Sequence, residues 1–146
     1  RIMSLKDGSK KMSKSELSDL SRINLTDDKD QIINKIKKAK TDPLPMPKDV
    51  KELEKRPEAQ NLLGIYTSLN SSTLETSIAK FAGKNFSEFK DELSETLVDK
   101  IMPISEEIKK LLKDQSYLDS ILLNGVENAN KIASKKIKNI KEIVGF

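Results

Sequence analysis

Residues 126–144 read VENANKIASKKIKNIKEIV, and apolar side chains recur in them every three or four positions. At 100° per residue, the apolar positions fall within one sector of a helix and lysines lie opposite them. The apolar stripe is Val126, Ala129, Ala133, Ile137, Ile140 and Val144, and the opposite face carries Lys131, Lys135 and Lys138. The spacing predicts an amphipathic helix whose lysine face is solvated.

The same spacing recurs upstream. Thr26 fits the cap of a helix with acidic residues in its first turn and lysines in its last. Pro57 fits the first position of the next helix, and residues 72–75 form a capping box that opens another, which Gly83 ends. The predicted apolar faces are Ile32, Ile33, Ile36 and Ala39; Leu62, Leu63, Tyr66 and Leu69; Leu74, Ile78, Phe81 and Ala82; and Phe86, Phe89, Leu93, Leu97 and Ile101. No segment alternates with period two, so the sequence predicts an all-α helical bundle.

Three features interrupt the helical pattern. Pro43, Pro45 and Pro47 end the helix that begins near Thr26, because proline lacks an amide hydrogen and restricts the residue before it. Pro103 either kinks its helix or begins a new one, which carries Ile104, Ile108, Leu111 and Leu112. A short segment around Leu118, Ile121 and Leu122 leads to Gly125, just before the last helix. Residues 6–16 are small, polar and cationic, so they predict a mobile loop in front of the bundle.

Composition excludes several classes of enzyme. The 146 residues, enough for one domain, include neither cysteine nor histidine. A thiolate nucleophile, an imidazole base and imidazole or thiolate metal ligands are therefore absent from this sequence. The net charge of +4 lies within the ordinary range of soluble domains. No apolar run approaches the length of a membrane span, so we expect a cytoplasmic protein, and the opening Arg1 suggests a piece of a longer chain.

Lys11, Met12, Ser13, Lys14 and Ser15 spell KMSKS. Two lysines three positions apart on a small-residue loop can reach the negative charges of a nucleoside triphosphate together. The hydroxyls of Ser13 and Ser15 and the backbone amides can complete the contact. Lysine suits a moving phosphate contact because it is a point charge on a flexible stem. The alternative interpretation is a solvated basic loop.

This pentapeptide resembles the second signature of class I aminoacyl-tRNA synthetases. With residues 1–5 before it and Lys10 entering it, the segment is similar to the version found in the tryptophanyl-tRNA synthetase family. Further similar stretches lie in the same order along the chain. They are residues 25–28, 35–39, 41–42, 61–66, 89–93, 102–104 and 125–146. The proline-rich stretch 43–47 departs from the family pattern.

The resemblance implies that Ile2, Lys11, Met12, Ser13, Lys14 and Ser15 contact ATP. Ile2 would contact the adenine, and Lys11 and Lys14 would contact the β- and γ-phosphates as catalytic groups. The reaction implied is attack of the tryptophan carboxylate on the α-phosphate, which yields tryptophanyl-adenylate and pyrophosphate. Transfer of the aminoacyl group to tRNA(Trp) follows, with ATP and Mg²⁺ as cofactors.

The resemblance also implies a division of the chain. Residues 1–24 would be the tail of a Rossmann-like catalytic domain, whose paired-histidine signature lies outside this sequence. Residues 25–146 would be a helical domain of the anticodon-binding type. We expect a homodimer for the full-length protein, whereas the chain alone would be monomeric and catalytically silent. No metal ligand is assigned to the chain.

Three alternatives remain open at the level of sequence. Asp27, Asp28 and Asp30 could hold a metal, although they better match the positive end of a helix dipole. Aromatic side chains could stack on unpaired RNA bases, although the apolar faces that carry Tyr66, Phe81, Phe86 and Phe89 favour core packing. For the whole chain, the alternatives are a helical RNA-binding module without catalysis, or the matching part of a tyrosyl-tRNA synthetase.

Overall fold

The structure is a computed structural model that describes residues 1–145. Phe146, the last residue of the similar C-terminal stretch, lies outside the described residues. A two-stranded antiparallel hairpin precedes six helices, with a short 3₁₀ turn at Asp19–Ser21 between them. The strands are β1 (Met3–Ser4) and β2 (Asp7–Lys11); the helices are α1 (Lys29–Lys37), α2 (Val50–Glu54), α3 (Pro57–Leu69), α4 (Leu74–Phe81), α5 (Phe86–Lys113) and α6 (Gln115–Val144). The prediction of an all-α helical bundle is confirmed as far as a helical fold, but the hairpin adds a small sheet that the prediction did not include.

The prediction of a mobile loop over residues 6–16 is wrong for its first half, because residues 7–11 form β2. Period-two alternation could not reveal this strand, since the hairpin gains its burial from packing on α3 rather than from an apolar face of its own. Leu5 in the hairpin turn is only 2% exposed and belongs to the hydrophobic core. The backbone amide of Leu5 donates to Ser21 O, and its carbonyl accepts from Lys40 N at 2.8 Å.

Two helix caps lie close to their predicted positions. α1 is capped by Asp28 rather than Thr26, because the Asp28 carboxylate accepts from Gln31 N at 2.8 Å while the Gln31 side chain accepts from Asp28 N. This reciprocal pair satisfies two otherwise unpaired amides. α4 is capped by Thr73, whose hydroxyl accepts from Thr76 N, so the predicted capping box over residues 72–75 is wrong by one position and lacks its reciprocal bond.

The core lies within residues 1–106, one of two compact units into which the chain divides. Aliphatic side chains of α1, α3, α4 and α5 surround three aromatic rings. Tyr66, Phe81 and Phe89 are buried and meet edge to face, with ring centroids 4.8–6.1 Å apart. Core packing of these three aromatics is confirmed, and Phe86 lies partly buried beneath the Arg56 guanidinium.

Gly8 lets β2 approach the start of α3. A Cβ at this position would lie 2.5 Å from both the carbonyl carbon and the oxygen of Pro57. Because both obstacles are backbone atoms, we expect Gly8→Ala to lower the free energy of unfolding by about 1–3 kcal/mol, as overpacking does. Urea denaturation of the chain measures this loss.

The matched control for that prediction is Gly64→Ala, which makes the same change inside α3. Apart from its chain neighbours and the backbone of its own helix, no atom lies within 4 Å of a Cβ placed at Gly64. Alanine is the better helix former by about 1 kcal/mol, so this variant should gain stability. Equal effects of the two substitutions would contradict the close approach of β2 to α3.

The second unit begins at Glu107 and contains the end of α5 and all of α6. α6 continues through Gly125, so the predicted break before Val126 is wrong; a helix-interior glycine costs only about 1 kcal/mol. α5 likewise contains Pro103 without ending there. The predicted stripe of α6 is exposed, with Val126, Ile137, Ile140 and Val144 each 54–60% accessible. Within the described residues, no helix is both long and apolar enough to cross a membrane.

Candidate functional site

The KMSKS segment, residues 11–15, connects the end of β2 to the loop that leads to the 3₁₀ turn. Lys11 is the last residue of β2, whereas Lys14 lies in a turn three positions later. Both side chains are exposed, and neither forms an ion pair with any residue from 1 to 145. Their ammonium groups are therefore available to an anionic ligand.

Hydrogen bonds within the segment shape its turn. The hydroxyls of Ser13 and Ser15 lie 2.9 Å apart, and Ser13 Oγ also accepts from Ser15 N. Glu16 N donates to Ser13 O, which closes the turn around Lys14. Met12 behaves differently from its neighbours, because its side chain packs partly against the hydrophobic core. This packing fixes one end of an otherwise exposed segment.

The structure brings only part of the predicted ATP site together. Lys11 and Ser13 line a cleft of about 310 Å³ with Lys6 and Lys10, and Ile2 lines a different cleft of about 430 Å³. The backbone nevertheless connects the two regions, since Met12 N donates to Ile2 O at 3.3 Å. Lys14 and Ser15 are not among the residues that line either cleft.

One further group faces the cleft that Lys11 and Ser13 line. Ser21 lies at its edge and is only 1% exposed. Its hydroxyl oxygen is buried, and it has no hydrogen-bond partner within residues 1–145. A buried hydroxyl without a partner carries a desolvation cost, so Ser21 is an unusual residue to find beside this cleft.

Asn61 of α3 fixes the strand that precedes the segment. Its side-chain oxygen accepts from Met3 N, and its amide nitrogen donates to Met3 O, both at 2.9 Å. The side chain thus pairs with β1 as a neighbouring strand would, and it is only 8% exposed. The sequence analysis missed this role. A polar residue beside Leu62 and Leu63, at the start of an apolar helix face, is the signal that could have revealed it.

A cluster of charged residues near the KMSKS segment was also not predicted from the sequence. Lys35 of α1 is 3% exposed, and its Nζ lies 2.6 Å from a carboxylate oxygen of Asp27 and 2.6 Å from one of Asp19. Asn24 Nδ2 donates to both carboxylates. Hydrogen bonds from Lys35 and Asn24 hold the pKa of Asp19 below its usual value.

Two of the three acidic residues of the possible metal site, Asp27 and Asp28, are engaged in other contacts. Asp27 is buried against Lys35, and Asp28 caps α1. The signal for the buried cluster was available in the sequence, because Lys35 lies three positions after Ile32 and four before Ala39. A charged residue at that spacing lies on the apolar face of its helix, where it needs a buried partner.

Comparison with known proteins shows which family the chain belongs to. The model of the family described as tRNA synthetases class I (W and Y) matches residues 1–102, so the chain belongs to this family. The chain is 51% identical over 146 residues to the tryptophan–tRNA ligase of Agrobacterium fabrum, and 49% identical to that of Brucella melitensis biotype 1. It spans 41% of the length of each relative.

A solved structure gives the same result. The tryptophanyl-tRNA synthetase of Mycoplasma pneumoniae superimposes on 100% of this chain and 44% of its own, with a TM-score of 0.74 and 26% identity. The corresponding enzyme of Campylobacter jejuni matches with a TM-score of 0.72. The resemblance stated from the KMSKS segment and the residues after it is therefore confirmed.

Proposed function

We propose that this chain supplies the ATP-phosphate loop and the tRNA-binding helices of a tryptophan–tRNA ligase. The full-length enzyme would activate tryptophan with ATP to form tryptophanyl-adenylate and release pyrophosphate. It would then transfer the aminoacyl group to tRNA(Trp). The observation that carries the proposal is that Lys11 and Lys14 are exposed and have no ion-pair partner within residues 1–145, in a chain about half identical to tryptophan–tRNA ligases.

The two lysines would act in different ways. Lys11 lies at the end of a hydrogen-bonded strand, so its backbone is held while its side chain reaches into the cleft that Ser13 also lines. Lys14 lies in a turn and can approach the phosphates as the segment moves. Together they would stabilise the negative charge that develops on pyrophosphate as it leaves, which is electrostatic catalysis by positioned cations. Ser13, Ser15 and the nearby amides would donate hydrogen bonds to phosphate oxygens.

Two of the predicted contacts with ATP, those of Ile2 and Met12, are kept, but each would be made in a different way from the one expected. Ile2 would contact the adenine from the cleft that it shares with Asn61. Met12 would act mainly by holding the segment in place beside ATP, because its side chain packs towards the core and its amide donates to Ile2 O. The first chemical step needs no proton transfer, so the absence of histidine from this chain does not conflict with it.

Mg²⁺ would enter with the nucleotide, since no cluster of carboxylates that could hold it occurs in the described part of the chain. Asp7 accepts from Ser9 and pairs with Lys10 at 3.5 Å, and no group of three potential metal-ligating side chains occurs within residues 1–145. The ion would neutralise phosphate charge, while Lys11 and Lys14 would orient the triphosphate. We assign no residue of this chain as a metal ligand.

The remaining parts of the proposal concern the whole protein. Residues 1–24 would complete a Rossmann-like catalytic domain, and residues 25–146 would form the helical domain that reads the anticodon. The tryptophan pocket would lie in the part of the enzyme that this chain does not span. The full-length enzyme would be a cytoplasmic homodimer.

A complementation experiment tests this proposal. We expect the isolated chain to show no tryptophan-dependent ATP–pyrophosphate exchange, because it spans only about two fifths of the related enzymes. Exchange should appear when the chain is mixed with the remaining amino-terminal part, expressed as a separate polypeptide. Exchange by the chain alone would contradict the proposal that the tryptophan pocket lies in the part of the enzyme that this chain does not span.

Other outcomes of that experiment would favour the alternatives. Salt-sensitive binding to any RNA, without preference for tRNA and without complementation, would indicate a helical RNA-binding module. Exchange that depends on tyrosine instead of tryptophan would indicate the tyrosine enzyme.

A further inference from the structure

We infer that Arg22 is a positioning residue that fixes the far end of the KMSKS segment. The inference rests on the proposed function, since it concerns the same segment. The Nη1 atom of Arg22 donates to Glu16 O at 2.9 Å, and Glu16 directly follows Ser15. Through this contact, a side chain outside the KMSKS segment holds the backbone immediately after the segment.

The guanidinium of Arg22 makes two hydrogen bonds and one ion pair. Besides Glu16 O, it contacts Asn24 Oδ1 through Nε at 3.2 Å and a carboxylate oxygen of Asp19 through Nη2 at 3.2 Å. A planar group held by two hydrogen bonds and an ion pair has a defined orientation, which a lysine ammonium cannot reproduce. The side chain is 18% exposed, so solvent competes only weakly for these contacts.

The residues that hold Arg22 are themselves fixed to the helical core. Asp19 pairs with Lys35 of α1, and Lys35 is buried against Asp27. The carbonyl of Asp27 accepts from the buried hydroxyl of Ser105 at 3.1 Å. A continuous set of contacts therefore extends from α5 through α1 to the backbone at Glu16.

The segment is consequently held at two ends. At its start, Lys11 belongs to β2 and Met12 N donates to Ile2 O. At its end, Arg22 holds Glu16. Residues 13–15 lie between these ends and make hydrogen bonds only among themselves and with Glu16 in the described structure. Arg22 would thus limit how far Lys14 can move from the phosphates, which should affect ATP more than tryptophan.

Arg22→Lys in the full-length protein tests the inference, because it keeps the positive charge but removes the planar guanidinium group. We expect the KM for ATP in pyrophosphate exchange to rise about tenfold, as the loss of one charge-assisted hydrogen bond would produce. The KM for tryptophan and the thermal midpoint should not change. Trypsin should cleave the bond after Lys14 about tenfold faster, because residues 13–15 would spend more time in a conformation that the protease can bind. Mass spectrometry of the fragments measures this rate.

A second variant and a control complete the test. Asp19→Asn removes the charge that holds Arg22 while leaving Arg22 in place, and it should produce smaller changes in the same direction. Lys110→Gln is the matched control, because Lys110 pairs with Glu107 at the same three-residue spacing on an exposed surface. It should change neither cleavage after Lys14 nor the KM for ATP.

The outcomes separate this inference from the proposed function. Unchanged cleavage after Lys14 in both variants would overturn the positioning role of Arg22, whatever happens to the kinetics. Faster cleavage with an unchanged KM for ATP would support the contact with Glu16 but overturn the assignment of this segment to ATP. Faster cleavage together with a raised KM for ATP and an unchanged KM for tryptophan supports both the positioning role of Arg22 and the proposed function.

Discussion

Lys14→Ala in the full-length protein should lower the rate of tryptophanyl-adenylate formation by roughly 10²–10³, equivalent to about 3–4 kcal/mol. The reason is that a positioned cation stabilises charge that appears on the leaving pyrophosphate only in the transition state. Lys14 is exposed and has no ion-pair partner within residues 1–145, so its charge is available for this contact. Single-turnover kinetics of adenylate formation measure the effect.

The control for this prediction is Lys51→Ala. Lys51 is also exposed and without an ion pair in the described structure, but it lies in α2, away from the KMSKS segment. Its removal lowers the net charge by the same amount and should leave the rate unchanged. A reduction smaller than about threefold for Lys14→Ala would mean that this lysine does not contact the phosphates.

Lys35→Met should produce the largest loss of stability among single substitutions of charged residues. Lys35 and Asp27 are both buried, with their charged atoms 2.6 Å apart. Removal of one partner leaves the other charge uncompensated in the interior, which costs about 3–5 kcal/mol. We expect this loss in the free energy of unfolding of the 146-residue chain, measured by urea denaturation.

Lys37→Met provides the comparison within the same helix. Lys37 lies two positions along α1 and is exposed, so the same change of side chain removes no buried charge. Its effect should stay within about 0.5 kcal/mol, as is usual for surface positions. If the two variants differed by less than about 1 kcal/mol, the buried pair would not be a main support of the fold.

Most of the helices could be predicted from local pattern alone. The apolar faces that begin at Ile32, Leu62 and Leu74 each lie on a helix, and Pro57 occupies the first position of α3. Local signals suffice here because helix hydrogen bonds, caps and proline effects involve residues within one or two turns. The short helix α2 was missed, since five residues are too few to show a period.

The candidate site was only half predictable. The sequence identified Lys11 and Lys14 by motif and family resemblance, and the structure leaves both exposed. It did not reveal Asn61, Arg22 or Ser21 as neighbours of the site. The place of Asn61 on an apolar helix face was a local signal of a buried role, but its partner Met3 lies 58 positions away, and no local pattern identifies a partner at that separation.

The sequence by itself determined the helical class, the KMSKS segment and the family, because periodicity and ordered motifs are properties of neighbouring residues. Only the tertiary structure decided that Lys11 ends a strand, that Gly8 must meet the backbone of Pro57, and that Lys35 is buried with Asp27. These contacts join segments that are distant along the chain. Their free energy comes from burial and charge pairing, which exist only after the segments have packed together.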